Sequence, residues 1–429
     1  MIGAKMVEYY KGRRIRIYPT DTQAKFIDRC IELSRYVYNW TIDTQEEHYN
    51  LYKEGKVKYS TICNYKMDKL FTELRDKKPW LKDVPHHSAR NAIRHCTTAY
   101  KKFFDNRFHN KYPKHKSKKR SKQTYETRSD RFYFEDNMLR IEGLPKNGPE
   151  SMIRTKFHTR FKKSDDIKYT GTVISRDNLG QYWVSFNMKY YNFVNDYSNV
   201  VLRTKAIGID LNVKNRFVLS TGEIFKAPDT SRLENRIRKE QSQVSRDRKR
   251  YRKIVDKLRK ENSIPIYFMN KHGQKITNSD YEVIPMSKRA QKRAIKLKKD
   301  IKKRANINRT FHHTITKQIV EKYRDTECIV MEDLNSNHLN SRHYIAKHTH
   351  NVAFREIRRM MEYKCNNRNI PIIFADREYP SSQLCSNCGY RQKIGSRKTY
   401  ICPNCGSRIN RDINAAINLS NYYYNLKEA

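Results

Sequence analysis

Three carboxylates and four cysteines are the residues of this 429-residue sequence whose types and spacing could do chemistry. Ala206-Ile207-Gly208-Ile209-Asp210-Leu211-Asn212 reads as an apolar strand carrying one acid, and Cys328-Ile329-Val330-Met331-Glu332-Asp333-Leu334 repeats the design. Asp412 follows in Asn410-Arg411-Asp412-Ile413-Asn414-Ala415-Ala416-Ile417, where the apolar spacing predicts the start of a helix. Taken singly, each acid could equally be a cap or an ion-pair partner. Three in the order Asp, Glu, Asp are more specific, because a carboxylate facing into a sheet needs compensation and a metal ion is the usual means. Oxygen-only ligands favour Mg²⁺, and converging acids suit two such ions: one activates water and the other stabilises the leaving 3′ oxygen of a phosphodiester. Asp210, Glu332 and Asp412 are therefore expected to be catalytic and to hold Mg²⁺. Asp376 and Asp333 rank below them, and strand alternation turns Asp333 away from Glu332.

Cys385-Ser386-Asn387-Cys388-Gly389 and Cys402-Pro403-Asn404-Cys405-Gly406 are two knuckles separated by 13 residues that include Arg391, Lys393, Arg397 and Lys398. Four thiolates at this spacing predict one tetrahedral zinc ion with no open position, hence a structural Zn²⁺ bound by Cys385, Cys388, Cys402 and Cys405. Cys30, Cys63, Cys96, Cys328 and Cys365 stand in apolar contexts and are expected to be buried thiols. With no apolar secretory leader at Met1-Ile2-Gly3-Ala4-Lys5, a reducing cytoplasm is the expected compartment.

The elements that must position these residues lie in an unusually cationic chain. Ninety Lys and Arg against 45 Asp and Glu give a formal net charge of +45, which is self-repelling unless a polyanion is bound. No apolar run is long enough to span a bilayer, so nucleic acid rather than membrane is the expected partner. Ten of the 22 residues from Lys101 to Lys122 are Lys or Arg, interleaved with Phe103, Phe104, Phe108 and Tyr112, which suits phosphate contact with stacking on bases. Alternation predicts a short strand over Arg13–Tyr18, and three- and four-residue spacing predicts helices from residue 21 to about 105. Period-two stretches from about 125 to 201 suggest a β-barrel completed by the first strand. Basic helices are predicted over Ser231–Lys260 and Ser287–Lys322, forming an antiparallel hairpin with a basic outer face around a turn-rich insert at about 262–285.

These segments resemble the TnpB family, transposon-encoded relatives of type V CRISPR effectors. The likeness covers nearly the whole chain: Ile15-Arg16-Ile17-Tyr18-Pro19-Thr20, Arg35-Tyr36-Val37-Tyr38-Asn39-Trp40, Pro79-Trp80-Leu81-Lys82-Asp83-Val84-Pro85, the run from Tyr112 to Ser121, Gly208-Ile209-Asp210, Val330-Met331-Glu332-Asp333-Leu334-Asn335, Tyr379-Pro380-Ser381-Ser382, both knuckles, and Arg411-Asp412-Ile413-Asn414-Ala415-Ala416. The resemblance implies an α+β multidomain protein. Its parts would be a wedge β-barrel (1–20 and 121–201), a helical recognition domain (21–120), an RNase H-like RuvC nuclease domain (202–378 and 408–429) and an inserted zinc ribbon that binds target nucleic acid (379–407). It implies a transposon-encoded guide RNA held by one protomer, and a double-stranded DNA target marked by a short adjacent motif. It also implies a double-strand break made at one RuvC site, in the cytoplasm of a bacterium or archaeon. His87, Ser88, Asn91 and His95, on the helix after Pro85, are the residues expected to read the motif. Lys114, Lys116, Lys118, Lys119 and Arg120 are expected to hold nucleic acid. Asn410 departs from the family, which commonly has Asp there.

Two other readings share these motifs. A miniature type V CRISPR effector would use the same chemistry with a guide of different origin. A non-cleaving RNA-guided DNA-binding repressor is expected to have lost acids that this chain retains.

Overall fold

Thr20 is the point at which alternation gives way to helical spacing. In the computed structural model its hydroxyl accepts from the backbone N–H of Gln23 at 3.3 Å, while the Gln23 side chain accepts from the N–H of Thr20 at 3.1 Å. This reciprocal cap separates strand β1 (Ala4–Tyr18) from helix α1 (Asp21–Lys53). The structure describes residues 4–83, 85–105, 110–118, 121–135, 137–155, 168–195, 204–269, 275–278, 286–333, 353–376, 378–395 and 397–428. Contacts divide the chain into two units, Met1–Asp196 and Tyr197–Ala429.

In the first unit β1 is longer than the predicted Arg13–Tyr18. It pairs antiparallel with β7 (Tyr182–Asn195) from Ala4 opposite Asn195 to Ile17 opposite Tyr182, and the length of that partner ladder extends it. The other strands are β2 (Gln123–Thr127), β3 (Tyr133–Glu135), β4 (Met138–Arg140), β5 (Ile153–Thr155) and β6 (Lys168–Arg176). They give one antiparallel sheet in the order β2-β6-β7-β1-β5-β4-β3. Helices α1, α2 (Asn64–Lys77) and α3 (His86–Phe104) share a core with it, in which Ile27, Val37, Ile93 and Cys96 meet Ile17, Leu139, Val184 and Phe186. One thiol departs from expectation: Cys63 is exposed, because it is the extended residue that precedes α2 rather than part of its apolar stripe.

The second unit is built on β8 (Ile207–Asp210), β9 (Asn215–Leu219), β10 (Ile224–Lys226), β13 (Ile329–Glu332) and β14 (Ile372–Ala375), in the order β10-β9-β8-β13-β14. The first three strands are antiparallel and the last three parallel, an RNase H-like arrangement with β8 at the centre. Helices α4 (Ser231–Glu261) and α5 (Lys288–Lys322) lie between β10 and β13 in sequence. The C-terminal half of α5 and helix α6 (Phe354–Asn366) cover one face through Ile315, Ile319, Ile357 and Met361. Helix α7 (Arg411–Glu428) covers the other, where Leu419 packs on Ala206, Val330 and Ala375. This unit also holds two short hairpins, β11 (Tyr267–Met269) with β12 (Lys275–Thr277), and β15 (Thr399–Ile401) with β16 (Arg408–Asn410). No helix among the described residues is long and apolar enough to cross a membrane.

Candidate nuclease site and metal centre

Parallel pairing of β8 with β13 sets Ile209 opposite Met331, so the next residues, Asp210 and Glu332, emerge side by side at the same end of the two strands. The third acid comes from α7. Ser420 Oγ donates to the carbonyl of Ala206 at 2.7 Å, and the Ala206 N–H donates to the hydroxyl of Tyr424 at 2.9 Å, which docks α7 along β8. Gly208 permits this close approach, since a Cβ there would stand 1.9 Å from the carbonyl oxygen of Ala416. Asp412 occupies the first turn of α7. Asn410 caps that turn, its Oδ1 accepting from the N–H of Asp412 at 2.9 Å and of Ile413 at 3.3 Å. Across 197 residues of chain, Asn215 Nδ2 donates to Asp412 Oδ2 at 3.2 Å.

Asp210 is only 8% exposed. Burial raises its carboxyl well above the usual range; the negative charges of Glu332 and Asp412 push the same way, against the Asn212 amide and Arg411. Glu332 is raised as well, again by burial, with the Ser381 hydroxyl that donates to it acting in opposition. Glu332 and Asp412 thus both act electrostatically on Asp210, and oxygen is the only donor atom that the three carboxylates offer. That donor set fits hard divalent cations such as Mg²⁺. Asp333 and Asp376 have other partners: Asp333 pairs with Arg358, and Asp376 accepts from the Tyr422 hydroxyl at 2.9 Å.

The sulfurs of Cys385, Cys388, Cys402 and Cys405 lie within 4.8 Å of one another. Each knuckle closes through a glycine of positive φ, Gly389 at 76° and Gly406 at 70°, whose N–H returns to the carbonyl of the first cysteine. The knuckles exchange donors: Asn387 Nδ2 reaches Cys405 Sγ and Asn404 Nδ2 reaches Cys388 Sγ, both at 3.6 Å. The backbone N–H of Tyr390 and the Asn404 amide lower the Cys388 thiol to about 6. A sulfur-only cage of four converging cysteines suits zinc rather than magnesium.

The sequence reading missed the residues that join this cage to the acids. Asn414 Nδ2 donates to the carbonyl of Leu384 at 2.6 Å, and its Oδ1 accepts from the N–H of Ser386 at 2.9 Å. Asn418, one turn along the same face of α7, donates to the carbonyls of Ser381 at 2.7 Å and Leu384 at 2.8 Å. The spacing of the two asparagines was the available signal.

Of the residues expected on nucleic acid, Ser88, Asn91, His95 and Lys116 line one cleft of about 540 Å³ with Arg35 and Gln123. Ser88 and Asn91 are buried rather than on an open helix face, and Ser88 Oγ and Asn91 Nδ2 have no hydrogen-bond partner among the described residues. His95 faces Glu126 at 3.0 Å, and the Lys116 ammonium lies 3.5 Å from the ring centroid of Tyr38. His87 and Lys114 do not line the cleft, and Lys118 pairs with Glu32. Lys119 and Arg120 lie outside the described residues.

A four-cysteine ribbon spliced into an RNase H-like sheet, just ahead of the helix that carries its last acid, defines a RuvC-containing protein of the α+β class. Residues 354–419 match the family model described as "Cas12f1-like, TNB domain", and residues 6–55 match a "Helix-turn-helix domain" of the OrfB IS605 type. The latter residues here form a strand and one unbroken helix. A Streptomyces pristinaespiralis protein named "Putative RNA-guided DNA endonuclease" is 26% identical over 96% of this chain and 89% of its own length. A Mycobacterium tuberculosis protein of similar name, MT2953, is 40% identical over 15% of this chain and 14% of its own. Among solved structures, a Cas12f1–sgRNA–target DNA complex aligns with TM-score 0.41 and 12% identity over 97% of this chain and 99% of that one. The chain is thus similar along nearly its whole length to a protein named as an RNA-guided DNA endonuclease, and two of its segments match models of that kind.

Proposed function

We propose that this chain is an RNA-guided DNA endonuclease that hydrolyses phosphodiesters at one RuvC site made by Asp210, Glu332 and Asp412. The observation that carries the reading is the meeting of three carboxylates at the ends of two central parallel strands and the start of α7. The name of the relative that spans nearly the whole chain supports the guide and the DNA target. In this reading the three acids hold two Mg²⁺ ions, which supply positive charge to the reacting phosphate when bound. The chain's own contribution is orientation: Asn212, Ser381 and Asn215 each donate to one of the three carboxylates. The four cysteines hold one structural Zn²⁺, and the ribbon around them touches target nucleic acid. The cleft containing Ser88, Asn91, His95 and Lys116 reads the motif beside the target. One protomer carries one transposon-encoded RNA and makes a double-strand break in the cytoplasm.

The test is to purify the protein from cells carrying its native flanking DNA, sequence the RNA that accompanies it, and challenge the complex with plasmids bearing the guide's match beside a randomised motif. Magnesium-dependent cutting beside one motif, lost in Asp210→Ala and Glu332→Ala while guided binding persists, is the expected result. Binding without cutting by the unaltered protein would favour a repressor. Guide sequence from a repeat array rather than a transposon end would favour a CRISPR effector.

A further inference from the structure

The first turn of α7 is held from both cysteine knuckles. On the side of the second knuckle, strand β16 ends at Asn410, paired with Thr399 of β15. Arg411 then reaches back to the ribbon: its N–H donates to the carbonyl of Lys398 at 2.9 Å and its Nη1 to the carbonyl of Gly395 at 2.7 Å. On the side of the first knuckle, the N–H of Ser386, which follows Cys385, donates to Asn414 Oδ1. The carbonyl of Leu384, which precedes Cys385, accepts from Nδ2 of both Asn414 and Asn418. The two asparagines are enclosed, 0% and 3% exposed. Asp412 lies between Arg411 and Asn414 in sequence, so both sets of contacts bear on it.

The contact of α7 with the sheet is farther away. Ser420, which docks the helix on β8, lies about 12 Å along the helix from Asp412. A helix start is also the part that frays, because its first N–H groups have no partner within the helix. The ribbon that steadies this start has little rigidity of its own. Its buried cluster is Cys385, Ile394, Tyr400 and Cys402, with Ile409 packed against it, and two of those four are cage cysteines. A unit of about 30 residues with so small a core is held by its metal. Whatever draws the four sulfurs together therefore also fixes Ser386 relative to Lys398, the two sides from which the start of α7 is held.

We propose that Asn414 and Asn418 are positioning residues that couple the two metal centres, so that the divalent-cation affinity of the three acids depends on zinc in the ribbon. Asn414 passes the closed state of the cage to the turn bearing Asp412. Asn418 passes it to Ser381, whose hydroxyl donates to Glu332. The inference rests on the proposed nuclease site and deepens it by giving the ribbon a task there besides contact with nucleic acid. Coupling of this kind is reciprocal: a cation on the acids must tighten zinc by the same factor by which zinc tightens that cation. Hydrogen bonds one step behind a metal ligand are worth about 10- to 100-fold in affinity, which sets the expected size.

The experiment uses the full chain without nucleic acid and reads binding rather than cutting. Mn²⁺, the probe for the acids, is titrated by electron paramagnetic resonance on zinc-loaded and zinc-depleted protein. Zinc release to a zinc-selective chelator is timed with and without Mg²⁺. In the parent, zinc removal should weaken Mn²⁺ binding about tenfold or more, and Mg²⁺ should slow zinc release. Asn414→Ala combined with Asn418→Ala removes both links while raising helix propensity. This variant should keep its zinc yet bind Mn²⁺ as weakly as the zinc-depleted parent, with no further change when zinc is taken away. Each single variant keeps one link and should fall between. A merely structural role would instead weaken Mn²⁺ only in protein that had lost its zinc. That result, or an Mn²⁺ affinity in the parent that ignores zinc, or variants that bind Mn²⁺ as the parent does, overturns the inference. Asp210→Ala tests the underlying reading separately: if it binds Mn²⁺ as tightly as the parent, the acids are not the cation site, and the coupling falls with them.

Discussion

The hydroxyl of Ser381 donates to the carboxylate of Glu332, and the carbonyl of Ser381 is held in turn by Asn418 on the helix that bears Asp412. One buried serine therefore ties the second acid to the element carrying the third. Loss of a hydrogen bond behind a metal ligand typically costs 10- to 100-fold in metal affinity or activity. Ser381→Ala should raise the Mg²⁺ concentration for half-maximal cutting by about that factor and leave guided binding intact, while Ser381→Thr should restore much of the loss. An unchanged Mg²⁺ titration in the alanine variant would remove Ser381 from this role.

Gly208→Ala should destabilise the second unit, because the added methyl meets the Ala416 carbonyl at 1.9 Å and α7 must retreat. Overpacking of this kind costs about 1–3 kcal/mol or more. The control is Gly222→Ala, where φ is +88° but nothing lies within 4 Å; it carries only the conformational cost of about 1 kcal/mol. Denaturant unfolding of the two variants should differ in midpoint, with Gly208→Ala lower. Equal midpoints would mean that α7 does not rest on β8 as described.

Cys402→Ser should lower the thermal midpoint and the bound zinc together, since ligand binding by the four thiolates is part of the folding free energy. Zinc content by mass spectrometry and melting by circular dichroism read the two effects. A zinc-free variant as stable as its parent would deny the ribbon a structural metal.

Burial, with help from Arg216, lowers His312 to about 4, and both its ring nitrogens lack hydrogen-bond partners among the described residues. The folded state thus keeps it neutral, while the unfolded chain takes up a proton near pH 6.5. Stability from this group is fully present above about pH 6.5 and is lost as pH falls toward 4, by roughly 1–3 kcal/mol. His312→Leu should flatten the fall in urea midpoint between pH 7.5 and 5. A fall as steep as in the parent would place the acid sensitivity elsewhere.

What was legible in the sequence was local. An apolar strand ending in one acid, or two cysteines three apart with glycine after them, points to its chemistry within a few residues, so Asp210, Glu332, Asp412 and the four cysteines stand out as candidates from the chain alone. The partners were not legible, because each is made by tertiary contact. Asn215 finds Asp412, Ser381 finds Glu332, and Asp247 and Asp300 spend their charge on arginines of the facing helix. Strand β1 ran beyond its predicted start for the same reason, since its length is set by β7. Cys63 was misplaced because a residue one step before a helix has the neighbours of a buried stripe without its direction.

Asn410 completes the account of charge around the acids. Asparagine and aspartate cap helices about equally well, so α7 would start as firmly with either. They differ in electrical terms: the amide satisfies the N–H groups of Asp412 and Ile413 without adding a fourth negative charge beside the three carboxylates, where burial and then the charges of Glu332 and Asp412 already raise Asp210. The positive end of the helix is thereby left for Asp412 alone, and an arriving cation has one charge fewer to balance.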